Sequence, residues 1–345
     1  MQALVLAGGE GTRLRPLTYT VPKPVLPLAG RPHIAYVIDW LFRHGVDDVI
    51  VSCGHLAEGL RDALADLVGP RLRFAEEPDP RGTAGAIRFA EDMLGDRFFV
   101  LNGDVLCDLD LGALVERHES AGAQATIALY PVADPSAYGL VRRREDGEIV
   151  EFLEKPDPKE IDTDEINAGA YLLERSVLDL IPPDQAVSIE REVFPRLVGD
   201  GLYGVRLDGY WIDIGTPDRF LQANWDILER RADTVTSERL DSNGMLIEDG
   251  AEVSGEATLE APALLGTGAS VAAGAKVGPR AVLGPGCVVE EEARIEDSVL
   301  LAGCRVGKGA RVRDSILSAQ VEVAASGEVE PGSVIGEGEL AGAAG

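Results

Sequence analysis

The sequence predicts an α/β protein, with a mostly parallel sheet covered by helices and, after it, a β-solenoid. Three observations predict this. Short apolar runs alternate with amphipathic stretches as far as about residue 230. From residue 251 onward the apolar pattern changes to a period of six. Between these regions, residues 232–244 are polar and read as a linker.

In the first region, residues 3–6, 48–52, 98–101 and 125–130 are apolar and read as strands. Residues 34–44, 57–67, 84–94 and 111–120 carry apolar positions at helical spacing. Strands alternating with helices imply a parallel sheet with both faces covered. Ligands then sit beyond the carboxyl ends of the strands, here the loops after Leu6 and Leu101. A last helix opens at Pro217, where proline costs no hydrogen bond, and runs to about residue 231.

In the second region, small or β-branched residues recur every six positions from Ala251 through Ala293 to Val299. Two places on, Val253, Leu259, Leu265 and their successors to Leu301 are all aliphatic. The phase slips by one after Leu301 and resumes at Cys304 and Val306. Such a repeat is the signature of a solenoid whose coils bury aliphatic rows against one another.

Composition excludes several classes. The chain has 345 residues and is 45% hydrophobic, enough for a sizeable core. A formal charge of −27 disfavours nucleic acid and anionic membrane as partners. Only five lysines occur, Lys23, Lys155, Lys159, Lys276 and Lys308, which makes them candidates for places where a compact ammonium is wanted. Cys53, Cys107, Cys287 and Cys304 lie far apart, with no CxxC pair, which argues for reduced thiols and against zinc. The N-terminus enters a strand without a basic, apolar leader, and the longest uncharged run, 261–275, is too short to cross a bilayer. A cytoplasmic enzyme is expected.

Five places carry chemistry. Leu6-Ala7-Gly8-Gly9-Glu10-Gly11-Thr12-Arg13-Leu14-Arg15-Pro16 follows the first strand. Its glycines allow close backbone approach, and successive N–H groups can cradle phosphate. It lacks the GK[ST] of a Walker loop and the third glycine of a dinucleotide fingerprint. A plain tight turn remains open, but Arg13 and Arg15 weigh against it. Lys23 follows between Pro22 and Pro24, on a segment expected to be stiff and extended. Asp104 ends an apolar strand and is placed either to hold Mg²⁺ or to cap a turn. Asp213 lies between Ile212 and Ile214 and needs a partner if buried. Glu154–Lys155 reads either as a ligand pair or as a solvated surface pair.

The stretch from Gly8 to Lys23 resembles the GGxGTRLxPLT…PKP signature of sugar-nucleotide pyrophosphorylases. Glu151-Phe152-Leu153-Glu154-Lys155-Pro156 resembles that family's F-x-E-K-P element, and Asn167-Ala168-Gly169 its N-A-G element. The resemblance implies a Rossmann-like nucleotidyltransferase domain over 1–231, a linker over 232–245 and a left-handed β-helix of hexapeptide repeats over 246–340. It implies that Leu6, Ala7, Gly8, Gly9, Gly11, Thr12, Arg13, Glu77, Gly82 and Thr83 bind nucleotide. Arg13 and Lys23 would neutralise phosphate, and Asp104 and Asp213 would jointly hold catalytic Mg²⁺. Gly139, Glu154, Lys155 and Asn167 would bind the sugar phosphate.

The pattern is most similar to two-domain mannose-1-phosphate guanylyltransferases. Gly82-Thr83-Ala84-Gly85-Ala86 stands where thymidylyltransferases usually carry GLAQA, and Gly103-Asp104-Val105 where they usually carry GDN. The expected substrates are GTP and mannose 1-phosphate. A thymidylyl- or uridylyltransferase acting on glucose 1-phosphate is the alternative, and a non-catalytic regulatory homologue a second one. Some relatives with hexapeptide domains are also acetyltransferases using a solenoid histidine, but no histidine follows His118. The solenoid is expected to support a homo-oligomer through the surface at 299–304, with a passive stabilising cap as the other reading.

Overall fold

The computed structural model describes residues 1–54, 57–65 and 71–342. The chain forms two compact units, one from Met1–Gly9 and Val37–Trp211, the other from Glu10–Tyr36 and Ile212–Gly345.

The first unit is built on nine strands among the described residues: β1 (Gln2–Leu6), β2 (Asp48–Cys53), β3 (Arg71–Glu76), β4 (Arg97–Asn102), β5 (Ala125–Pro131), β6 (Gly139–Arg143), β7 (Ile149–Glu154), β8 (Glu165–Glu174) and β9 (Leu202–Arg206). β4, β1, β2 and β3 run parallel, side by side. β8 lies antiparallel on β4, and β5 pairs antiparallel with β8 and parallel with β9. β6 and β7 extend this flank as an antiparallel pair. The centres of β1, β2 and β4 are fully buried, as expected of strands covered on both faces.

Helix α1 (His33–Arg43), α2 (Ala57–Ala63), α3 (Gly82–Phe89) and α4 (Leu111–Ala121) fall where the apolar spacing predicts helices. The end of the α2 prediction, residues 66–67, lies outside the described residues. The third helix ends at Phe89, and a separate 3-10 turn, Glu91–Met93, completes its predicted span. Asp110 caps α4 by accepting from the Gly112 amide, and Gly122 closes it in the left-handed region.

In the second unit, helix α5 (Pro217–Leu228) opens with proline in its first turn. The polar stretch read as a linker is folded. It contains helix α6 (Val235–Arg239), capped by Thr234, with Thr234, Thr236 and Ser237 buried. Polarity there serves capping and hydrogen bonds, one of them Tyr36 Oη to Thr236 Oγ1 at 2.7 Å. From Met245 onward the chain forms three parallel sheets of six, six and five strands among the described residues, a regular arrangement consistent with a left-handed β-helix.

The period of the solenoid differs from its prediction at one corner. Leu265 pairs with Leu283, a step of 18 residues, but Leu283 pairs with Leu300, a step of 17. The residue is dropped before Ser298 rather than after Leu301, so Leu300 points inward and Val299 outward. A second short corner precedes Ser315, giving another 17-residue step from Leu300 to Leu317. At both corners an aspartate, Asp297 or Asp314, adopts a positive φ, and the buried serine after it bonds back to a carbonyl oxygen two residues earlier.

The surface expected at 299–304 is mostly interior: Val299, Leu300, Leu301 and Cys304 are buried, and only Ala302 and Gly303 are exposed. Leu246, Leu264, Val282, Val299 and Ile316 form an outward aliphatic row that is itself buried. Gly30 packs on Leu264, and Arg280 beside this row lies over the Trp225 ring of α5 at 4.6 Å. The four cysteines are free thiols, and among the described residues no helix is long and apolar enough to cross a membrane.

Candidate active site

In the first unit, the carboxyl ends of β1, β2 and β4 are adjacent, with Leu6 beside both Ser52 and Asn102. The Gly103 amide donates to the Leu6 carbonyl oxygen at 2.9 Å, and a methyl group on Gly103 would fall 2.7 Å from that oxygen. Only glycine allows this approach, which brings Leu6 and Ala7 beside the strand end that carries half-buried Asp104. Glu77 is buried, accepts from Ser52 Oγ at 2.6 Å and lies against Gly8. Gly82 opens α3 with its backbone against the Val187 carbonyl. Thr83 Oγ1 accepts from the Ile189 amide at 2.8 Å and donates to Glu190 Oε2 at 2.8 Å.

Across the same sheet, Gly139 pairs with Glu154, and a methyl group on Gly139 would meet Phe152 at 2.7 Å and Glu154 Oε2 at 3.1 Å. Lys155 is exposed, with φ 55°, and its amide donates to the Tyr138 carbonyl. The Asn167 side chain accepts from the Gly169 amide and donates to Tyr171 Oη, both at 2.9 Å. It therefore holds its own turn, in which Gly169 takes φ 76°. Trp211 Nε1 donates to the Ala168 carbonyl at 2.9 Å. The Trp211 ring stacks on Tyr130 and meets Tyr138 edge-on. Burial pushes the Glu154 carboxyl above its ordinary range, nearby Glu190 adds to this, and Lys155 and Arg191 offset it only in part.

In the second unit, Gly11 takes φ 63°, and a methyl group there would fall 2.9 Å from Lys23 Cβ. Lys23 is buried and begins a 3-10 turn, Lys23–Val25, instead of the extended segment expected. Pro24 inside the turn fixes the φ that a 3-10 turn needs. Arg13 and Asp213 both close on Gly215, whose added methyl would lie 2.6 Å from Arg13 Nη2 and 2.8 Å from Asp213 Oδ1. The Gly215 amide donates to Asp213 Oδ1 at 2.7 Å, and Arg219 reaches Asp213 Oδ2 at 3.3 Å. These are the partners the sequence required of Asp213. Arg15 lies 3.7 Å from Glu10 and over the Tyr19 ring.

The structure thus brings together Gly8 with Glu77, Gly139 with Glu154, Gly11 with Lys23, and Arg13 and Asp213 on either side of Gly215. Gly9 and Thr12 are exposed beside these groups in sequence. Sequence reasoning placed Glu190 and Trp211 only within segments that mark the resemblance, gave them no site role, and passed over Tyr171 and Arg219. Glu190 contacts Thr83 across 107 residues, a separation that no spacing rule reads.

Residues 2–230 match the family described as nucleotidyl transferase, and residues 259–339 match one described as the GMPPB C-terminal domain. A mannose-1-phosphate guanylyltransferase of Mycobacterium tuberculosis is 40% identical over 75% of this chain and 73% of its own. A probable mannose-1-phosphate guanylyltransferase 1 of Oryza sativa subsp. japonica is 39% identical over 76% of this chain and 75% of its own. Among solved structures, HddC from Yersinia pseudotuberculosis complexed with GMP-PN is similar, with 29% identity and TM-score 0.56 over 65% of this chain and 97% of that one.

Proposed function

Because the chain belongs to the nucleotidyl transferase family, we propose that it makes GDP-mannose and pyrophosphate from GTP and mannose 1-phosphate. The observation that carries the substrate pair is the 40% identity, over three quarters of the chain, to a protein named for that reaction.

A sugar-phosphate oxygen attacks the α-phosphorus of GTP, and pyrophosphate leaves with the electron pair of the broken P–O bond. The attacking phosphate is already ionised, so no general base is needed. Catalysis then rests on positioning and charge neutralisation. Arg13 and Lys23 neutralise the phosphates, and Lys155 holds the nucleophile. Leu6 to Thr12 and the Glu77–Thr83 region take the nucleotide. Gly139, Glu154 and Asn167 take the sugar. Asp104 and Asp213 suit Mg²⁺, which binds one or two carboxylates together with substrate phosphates, and the Gly215 amide already orients one oxygen of Asp213. When bound there, the ion would supply Lewis-acid neutralisation of the α-phosphate. Arg219 on the other oxygen keeps that carboxylate charge-balanced.

The solenoid is read as hexapeptide coils that support a homo-oligomer, and the protein as cytoplasmic. Light scattering of the full chain against a truncation after Arg231 tests the first of these. An assay of pyrophosphate release across an NTP panel and two sugar phosphates tests the reaction. Faster turnover of dTTP or UTP with glucose 1-phosphate would favour the sister activity.

A further inference from the structure

Residues 188–194 bridge the two ends of the first unit's site. Ser188 caps a single π-type turn, Ile189–Val193, a rare geometry concentrated at functional sites. At one end, Val187 is bonded to the loop opening α3, its amide donating to the Arg81 carbonyl and its carbonyl accepting from the Ala84 amide, both at 2.9 Å. At the other end, the Phe194 ring packs 5.4 Å from Phe152 and 5.0 Å from Tyr171. Phe152 shares its strand face with Glu154, two residues on. Tyr171 is the partner of Asn167.

Glu190 is held within this frame. Its Oε2 accepts from Thr83 Oγ1 at 2.8 Å and Ser188 Oγ at 2.7 Å. No hydrogen bond reaches Oε1, and no cation pairs with the carboxylate, among the described residues. One oxygen is therefore locked by two neutral hydroxyls, and the other is left to accept. The Phe194 ring at the end of this turn packs on Phe152, which sets Glu190 on the Glu154 side of the site, and Glu190 adds to the rise of the Glu154 carboxyl. With one oxygen bonded only by neutral hydroxyls, Glu190 suits a neutral hydroxyl donor on the other.

We infer that Glu190 is a second sugar-binding carboxylate, accepting a hydrogen bond from a pyranose hydroxyl, with its orientation set by Thr83 and Ser188. This rests on the reading that the Glu154 region takes the sugar phosphate. A carboxylate held by two hydroxyls discriminates against a sugar lacking the matching donor, because its oxygen is then left unpaired.

The test is steady-state kinetics of the full chain, wild type and Glu190→Gln, with mannose 1-phosphate and its single-deoxy analogues. Glu190→Gln should raise the sugar-phosphate KM about tenfold, as expected for losing one charge-assisted hydrogen bond. The GTP KM should stay within about twofold, a ratio well below one hydrogen bond. One deoxy analogue, poor for the wild type, should bind the variant no worse than mannose 1-phosphate does. A purely structural role would penalise every analogue equally, and that result would overturn the inference, as would an effect confined to GTP. Glu190→Asp, which keeps the charge but shortens its reach, supplies the same comparison should Glu190→Gln not fold. Glu154→Gln is the control. If it raises the sugar KM and Glu190→Gln does not, the inference alone fails; if neither does, the sugar-site reading fails with it.

Discussion

The two units gather different chemistries. The first collects acids, an amide and aromatic rings, Glu154, Glu190, Asn167, Tyr171 and Trp211, with Lys155 and Arg191 near Glu154. The second holds Asp213 beside Arg219 and, across Gly215, Arg13, with Lys23 packed against Gly11. The contrast is sharpest between the carboxylates. Glu154 is desolvated beside another acid and held above its ordinary range. Asp213 is bonded by an amide and an arginine. A carboxylate of the first kind suits neutral hydroxyls. The second kind suits the phosphate role proposed for its neighbours Arg13 and Lys23. In a chain of net charge −27, phosphate binding requires such local concentration of cations.

Removing charge from the second kind of site should have the largest effect. Asp213→Asn is expected to lower kcat by about 10²–10³-fold, the scale seen when one electrostatic stabiliser is lost. Asp104→Asn should do the same. Near-wild-type turnover with the fold intact, checked by thermal melting, would break the assignment of either residue. Arg13→Ala should lower kcat about 10²-fold while leaving the sugar KM nearly unchanged, because charge grows on pyrophosphate in the transition state. A variant altered only in sugar KM would erase the division between the units.

A smaller effect is expected in pH dependence. Burial and then Glu190 keep the Glu154 carboxyl high, so neutralising Glu190 lets it ionise at lower pH. The acidic limb of kcat/KM for sugar phosphate should therefore move to lower pH in Glu190→Gln. A shift in the opposite direction would contradict the shared environment. The smallest effect on chemistry is expected from the solenoid. Leu283→Ala removes a fully buried side chain and should cost about 2–5 kcal/mol of stability, read by denaturant unfolding. At a temperature where it remains folded, both KM values should match the wild type.

The legibility of the sequence divides along similar lines. The solenoid was readable because its repeat is local, with each residue's role set by neighbours six positions away. Its misplaced corner has a physical cause. Val299, Leu300 and Leu301 are all aliphatic, so either phase satisfies the pattern, and buried Ser298 stands where an alanine marks other coils. The parallel core of the sheet was readable from alternating strands and helices. Of the flank, only the strand at 125–130 was read; β6 to β9 were not, and the pairings of β5 with β8 and β9 join segments far apart in sequence. Contiguous motifs displayed Gly8 to Thr12, Arg13, Glu154 and Asn167. The segment of Glu190 marked the resemblance, but its role stayed unread because its clamp exists only once Thr83 and Ser188 meet in the fold.

The most direct test is the initial rate of pyrophosphate release with Mg²⁺, across GTP, dTTP, UTP and ATP, each with mannose 1-phosphate and with glucose 1-phosphate. The highest kcat/KM is predicted for GTP with mannose 1-phosphate, with GDP-mannose as the accompanying product. Release of no pyrophosphate with any pair, or a higher kcat/KM for dTTP or UTP with glucose 1-phosphate, would contradict it.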